Sequence, residues 1–445
     1  MRGDAIKRYA GPAPRYTSYP TAPHFTTRIG TADYADWLGR LPSNSRLSIY
    51  LHIPFCRELC WYCACTTKAT RRYEPVRAYV EALIREIDTV TSLLPAATEV
   101  SHIHWGGGSP SMLTPTDIHS ILQALRARLT IRVDAEHAME IDPRQATDAL
   151  MDALAAEGLN RISLGVQDFD ETVQEAINRH QSIEETRRVI EGFRQRGIGG
   201  INIDLVYGLP HQTEASVART IDSVLQLKPS RLAVFGYAHV PVKARPQRLI
   251  DPAALPGAEA RMRQSALVAD RITQAGYVSV GIDHFALPDD ALAIAGVRRN
   301  FQGYTTDHSE TLIGLGASAI GRLEQGYLQN ASSTADYIRR VETTGLATQR
   351  GVALTLDDRV RGRVIEQLMC DFTISRSDLI GRFEEAARPV LAEADVLASG
   401  EATGLLEPTD DGFRCTAEGR VFVRWLCTRF DAYWGQGSAT HALAV

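Results

Sequence analysis

From Leu47 to about Ile282 the chain repeats one pattern: a short apolar run of strand type, then a longer stretch with helical periodicity. The runs are "LSIYLHI" (47–53), "VSHIHW" (100–105), "HAMEID" (137–142), "RISLGV" (161–166), "INIDLVYG" (201–208) and "RLAVFGY" (231–237). "YVSVGI" (277–282) follows after a longer excursion. Helices are expected over 75–94, from Thr114, and over 145–157, 182–196, 213–226 and 257–275. The first carries Val76, Val80, Leu83 and Ile87 at helical spacing. Strands joined through helices pair in parallel, because a crossover helix is the connection that parallel pairing needs. Six such units in succession confine the fold to the α/β class. They favour a full or partial barrel, of (β/α)6 type, over an open sheet. In such a barrel, chemistry gathers at the C-terminal ends of the strands.

The flanks read differently. Residues 1–45 hold "GPAPRYTSYPTAP", whose prolines forbid a regular helix there and whose tyrosines suggest an arm packed on something. Beyond about 350 the alternation stops. Residues 356–398 look helical, "LLEPTDDGFRCT" reads as a hairpin, and a last helix starts near Ala417. This suggests three parts: an arm covering the active site (1–45), a barrel (46–345) and a mainly helical, winged-helix-like cap (346–445). The formal charge of −5 and the weakly basic cap argue against a nucleic-acid partner. No run of about 18 apolar residues suggests a membrane span. The first 20 residues hold no apolar core of signal-peptide length, so a reducing, cytoplasmic setting is expected; a monomer is expected as well.

Four of the seven cysteines fall within "PFCRELCWYCAC" (54–65), directly after the first strand. Cys56, Cys60 and Cys63 are spaced C-x3-C-x2-C. On a loop they can surround one centre, yet they are one thiolate short of the usual structural zinc set and of a fully ligated iron–sulfur cluster. Cys65 lies two positions past Cys63, too close to wrap the chain round the same centre. A four-cysteine zinc knuckle is the alternative. After the second strand comes "HWGGGSP" (104–110), which lets backbone approach a ligand closely but lacks the Gly-Lys-Ser/Thr of a phosphate loop. "GLGASA" (314–319) fits a dinucleotide fingerprint, but no acidic residue follows at the required place; near a barrel mouth it could line an adenine pocket.

The cysteine triplet opening a βα barrel resembles the radical S-adenosylmethionine superfamily. The resemblance implies a [4Fe–4S] cluster on Cys56, Cys60 and Cys63, with S-adenosylmethionine on the open iron and a 5′-deoxyadenosyl radical as the reagent. "PRYTSYPTA" (14–22), "EIDPR" (140–144), "GVQDF" (165–169), "NIDLVYGLP" (202–210), "YAH" (237–239), "DHFALPDD" (283–290) and "RNFQGYTT" (299–306) narrow it. With them the chain resembles the oxygen-independent coproporphyrinogen III oxidase family over nearly its whole length. That implies decarboxylation of two propionates of coproporphyrinogen III to the vinyl groups of protoporphyrinogen IX, in haem biosynthesis. An electron donor and an electron acceptor would be needed.

The same resemblance implies two S-adenosylmethionine molecules. The first would meet Tyr50, Gly107, Glu140 and Ile320. The second would meet Tyr62, Gly108, Ser109, Gln167, Arg179, Asp204 and Ala238. Cys65 and Tyr50 are candidates for catalytic roles. Tyr62 and Ser109 stand where the family is expected to carry Phe and Thr. Haem chaperones on the same barrel usually lack Cys65 and the arm motif. Arg15, Lys68, Arg71, Arg72, Arg298 and Arg299 are the basic candidates for the substrate's four carboxylates.

Overall fold

The computed structural model describes residues 8–436. Six strands and six helices alternate as the periodicity predicts. They are β1 (Arg46–Ile53), α1 (Glu74–Leu93), β2 (Glu99–Gly107), α2 (Pro115–Arg126), β3 (Thr130–Ile141) and α3 (Asp148–Ala156). They continue with β4 (Arg161–Gln167), α4 (Ile183–Gln195), β5 (Gly200–Tyr207), α5 (Glu214–Gln226), β6 (Arg231–Gly236) and α6 (Ala258–Gln274). The helices α2 to α5 start where the sequence supplies a hydroxyl cap: Thr114, Thr147, Ser182 and Thr213 each accept a bond from a first-turn backbone N–H.

β1 to β6 pair in parallel and in chain order. Side chains alternate across this sheet as the two-residue period of a strand requires. Leu51, Trp105, Met139, Ile162, Ile203 and Leu232 face outward, into the main core shared with the helices. Ser48, His102, Glu136, Ser163, Asn202 and Arg231 face inward and line one cavity of about 180 Å³. All six strands touch that cavity, so the sheet curves around it. β1 and β6 do not pair with each other, so the barrel is partial.

The open edges are extended, which the strand–helix pattern does not announce. Beside β1 lies a parallel strand, Thr311–Leu315, followed by antiparallel strands Ile320–Leu323, Gly326–Asn330 and Thr348–Ala353. Beside β6 lie antiparallel strands His284–Ala286 and Val278–Val280, so "YVSVGI" forms an edge rather than another parallel unit. β3 begins seven residues before the expected start; its first half, Thr130–Asp134, is largely solvent-facing and carries alternating charge.

A second core joins the two ends of the chain. Tyr9, Tyr16 and Tyr19 pack with Val360, Leu368, Phe413, Phe422 and Leu426. Tyr16 donates to Asp431 at 3.0 Å, and the Ala432 N–H donates to the Tyr19 oxygen at 3.0 Å. The C-terminal elements run helix Leu356–Asp371, strand Thr373–Ser375, helices Arg376–Phe383 and Arg388–Ser399, then the hairpin strands Leu406–Thr409 and Gly412–Cys415. That is the element order of a winged helix, and the expected 356–398 helical stretch is broken at Phe372, whose φ is +57°. The proline-rich reading of the first 45 residues also leaves out a helix, Thr31–Gly39. Its Tyr34, Trp37 and Leu38 belong to the main core. No helix among the described residues is long and apolar enough to cross a membrane.

Candidate active site at the mouth of the sheet

The loop after β1 carries the cysteines and is pinned from three sides. Phe55–Cys56 pairs with Lys68–Ala69, which folds the loop back on itself. The Trp61 N–H donates to Ile177 O at 2.9 Å, and Asn178 Nδ2 donates to Leu59 O at 3.0 Å. Gln247 Nε2 donates to Tyr62 O at 2.8 Å, and Trp61 and Tyr62 pack against Ile177, Tyr237 and Ile250. The loop is therefore held by the chain after β4 and after β6, across the mouth.

Its sulfurs differ. Cys60 is buried, with Arg179 Nη1 at 3.5 Å and Arg144 Nη2 at 3.9 Å from its sulfur. Both arginines also bond Asp142, Arg144 through both oxygens at 2.9 and 2.6 Å and Arg179 at 3.4 Å. Burial pushes the Cys56 thiol up to about 11. Hydrogen bonds from Cys65 pull Cys63 down to about 7, so the proton of this pair rests on Cys65. No three donor side chains among the described residues converge closely enough for one metal ion.

The triple glycine after β2 fits against this loop. The Gly108 N–H donates to Ile53 O at 2.9 Å and the Ser109 N–H to Phe55 O at 2.7 Å. A Cβ on Gly108 would meet Thr67 Oγ1 at 2.5 Å and Phe55 O at 2.6 Å. One on Gly106 would meet Glu140 Oε1 at 2.8 Å and the Tyr50 ring at 3.1 Å. Gly107 has φ +115° and a Cβ there would meet the His52 ring. Gly107 by its φ and Gly108 by its contact with Phe55 backbone require glycine, and a Cβ at Gly106 would press on Glu140 and Tyr50.

Around the mouth stand the strand-end side chains. Tyr50 and His52 point inward from β1. His52 Nε2 lies 3.1 Å from Thr66 O and so donates there, leaving Nδ1, at 3.0 Å, to accept from the Tyr50 hydroxyl. Burial lowers the pKa of His52, which keeps it neutral for that arrangement. Glu140 accepts the Gly107 N–H at 3.2 Å and lies 3.5 Å from His104 Nε2. Gln167 ends β4 at φ +72°, a conformation that costs a non-glycine residue energy and turns its amide toward Gly165. Arg179 is buried, donates to Gly165 O and Gln181, and keeps a buried Nε with no partner among the described residues.

Tyr50, Gly107, Glu140, Gln167 and Ala238 ring the mouth, and Ile320 begins the strand that follows the 316–319 turn. Asp204 stands, as Glu140 does, on the wall of the cavity inside the sheet, accepting from Ser163 at 2.8 Å and Asn202 at 2.7 Å. Burial raises its pKa to about 6. Ser109 is buried and bonds Ser111 at 2.8 Å. "GLGASA" is a turn between strands with no helix after it, so it is no dinucleotide loop. Gly316 N donates to Glu86 at 2.7 Å and Ala317 N to the Tyr79 hydroxyl at 2.8 Å.

Sequence reasoning passed over His52, His104 and the Asp142–Arg144 pair. His52 and His104 share the two-residue period of Tyr50 and Gly106, which was the available signal. The Asp142–Arg144 pair shows no such pattern and is recognisable only once Cys60 is placed beside it.

Comparison with known proteins agrees with this geometry. Residues 50–224 match the radical SAM superfamily, and residues 354–422 match the HemN C-terminal domain. An oxygen-independent coproporphyrinogen III oxidase of Bradyrhizobium diazoefficiens is 44% identical over 450 residues, covering 100% of both chains. One from Cereibacter sphaeroides is 45% identical over 424 residues, 94% of each. The solved coproporphyrinogen III oxidase of Escherichia coli, described as a radical SAM enzyme, superposes with a TM-score of 0.90 at 38% identity, over 97% of this chain and 99% of that one. With the cysteine loop, the glycine cradle and this full-length similarity in hand, the chain belongs to the oxygen-independent coproporphyrinogen III oxidases of the radical SAM superfamily.

Proposed function

We propose that this chain converts coproporphyrinogen III to protoporphyrinogen IX without oxygen, by oxidative decarboxylation of two propionate side chains. The observation that carries the reading is the mouth itself: a three-thiol loop, a glycine cradle and a ring of polar strand ends, in a chain similar throughout to oxidases of that name. When bound, a [4Fe–4S] cluster and S-adenosylmethionine supply the reductive cleavage that yields methionine and a 5′-deoxyadenosyl radical, the reagent that takes a hydrogen from the propionate β-carbon before CO2 and one electron leave.

The protein's own residues hold and orient these groups. Cys56, Cys60 and Cys63 are the cluster ligands, and Arg144 and Arg179 offset negative charge beside Cys60. Cys65 stays outside the ligand set and serves turnover together with Tyr50, whose hydroxyl is oriented by His52. The first S-adenosylmethionine meets Tyr50, Gly107, Glu140 and Ile320. Glu140 already accepts a backbone N–H at 3.2 Å, and a ligand ammonium or ribose hydroxyl is the same kind of donor. The second meets Tyr62, Gly108, Ser109, Gln167, Arg179, Asp204 and Ala238, with the unpartnered Arg179 Nε available to a carboxylate.

The arm (1–45), the partial barrel (46–345) and the C-terminal part (346–445) act together as one monomer. A reductant and a separate electron acceptor serve it in the cytoplasm. Seven unpaired thiols among the described residues suit such a reducing setting.

The test is anaerobic incubation of the protein with S-adenosylmethionine, a strong reductant, an electron acceptor and coproporphyrinogen III. Formation of both protoporphyrin and methionine supports the reading. Porphyrin that binds and is recovered unchanged would make the chain a carrier instead.

A further inference from the structure

Of the basic residues named from sequence, two are engaged elsewhere. Arg71 is exposed and pairs with Glu58, while Arg298 bonds Glu310 and Glu366. Two others, Arg15 and Arg299, meet Arg261 and Arg424 where β6 ends. Arg15, from the arm, donates through Nη2 to Gly236 O at 2.8 Å and lies over the Phe235 ring. Arg261, from α6, reaches the same glycine: a Cβ on Gly236 would meet Arg261 Nη2 at 3.2 Å and the Tyr207 hydroxyl at 2.9 Å. The Nε of Arg261 is buried without a hydrogen-bond partner among the described residues.

Two more arginines hold this arrangement. Arg424, from the C-terminal part, donates to Pro14 O at 3.0 Å and to Ala13 O. Arg299 donates to Arg15 O at 3.4 Å and stacks 4.5 Å from the Tyr304 ring; its Nε and Nη1 are also buried without partners. Arg15, Arg299 and Arg424, from three distant segments, thus face Asp283, which is itself bonded to His284 at 2.7 Å. Burial, more than neighbouring Arg15 and Arg299, pulls Arg424 down to about 10. The buried, unpartnered nitrogens of Arg261 and Arg299 can meet an anion, and planar guanidinium forks fit carboxylates.

We propose that Arg15 and Arg261, positioned by Arg299 and Arg424, form a clamp for carboxylates of the porphyrinogen that are not decarboxylated. This rests on the function proposed above. The clamp stands at the end of β6, and the chain just beyond it, at Tyr237, packs against Trp61 and Tyr62 of the cysteine loop. A macrocycle anchored there by the propionates it keeps lies beside the cysteine loop and presents to it those it loses. The arm and the C-terminal part then serve recognition through Arg15 and Arg424.

The test uses the full chain and two fluorescent probes. Coproporphyrin III carries all four carboxylates; protoporphyrin IX carries only the two that survive. Arg15→Gln and Arg261→Gln should each weaken binding of both probes by the same factor, about ten- to a hundredfold. The two substitutions lie on different segments, so one remains informative if the other does not fold. Weakening confined to coproporphyrin III would place the clamp on the reacting propionates and overturn the assignment. Unchanged affinity for both probes would overturn the clamp while leaving the proposed function standing. A wild-type protein that binds neither probe would remove the proposed function and the clamp together.

Discussion

The two faces of the parallel sheet are built from the same six strands and do opposite work. The outer face is a continuous layer of Ile, Leu, Met and Trp pressed against the helices, with Leu51, Trp105 and Ile162 fully buried. The inner face is polar at nearly every level, from Ser48 and His102 below to Glu140 and Gln167 at the mouth. Parallel strands covered on both sides are usually apolar throughout. Here the alternation means that burial stabilises the fold from one side only, and the other side is free to carry charge and hydrogen-bonding groups around a cavity.

That division is open to direct attack. The largest effect expected on the outer face is from Ile162→Ala. It removes a fully buried side chain and should cost about 2–5 kcal/mol in denaturant unfolding, while the folded variant keeps its iron. Loss of iron with unchanged stability would break the separation of the faces.

Glu86 sharpens the contrast, because it is a carboxylate on the outer, helical side. It is fully buried on α1 and accepts from Gly316 N, Asn330 and Tyr337 at 2.6–2.7 Å. Burial raises its pKa from 4.5 to about 7. The folded protein therefore holds this proton more tightly than the unfolded chain does. The contribution is fully present below about pH 4.5 and is lost as pH rises through 7, a fall of about 3 kcal/mol across that window. Glu86→Gln should flatten this part of the stability–pH curve. An unchanged slope would show that Glu86 is not its source.

On the inner face the effects should be on ligands rather than stability. Glu140→Ala is expected to weaken S-adenosylmethionine binding about ten- to a hundredfold and to lower methionine formation even without porphyrinogen. Asp204→Ala should spare that reaction more than it spares vinyl formation. Equal losses of both activities in both variants would contradict two separate binding positions.

The fold was legible wherever periodicity alone decides structure. All six parallel strands and their helices follow from residues spaced two and three to four apart. The strands between Thr311 and Ala353 were not legible, because "TLIGL" and "GYLQN" are too short to show a period. The helix at Thr31–Gly39 was hidden by the prolines before it. In the site, the cysteine spacing and the triple glycine are local and could be read directly. The Arg15, Arg261, Arg299 and Arg424 cluster could not, since its members are brought together only by the packing of arm, barrel and C-terminal core.

The most direct measurement of the site at the centre of this account is iron content after anaerobic reconstitution, taken for serine variants of Cys56, Cys60, Cys63 and Cys65 one at a time. The geometry predicts that the first three each lose the cluster chromophore and its iron, while Cys65→Ser retains both. A folded Cys65→Ser protein that holds no cluster would make Cys65 a ligand and contradict the three-thiol site.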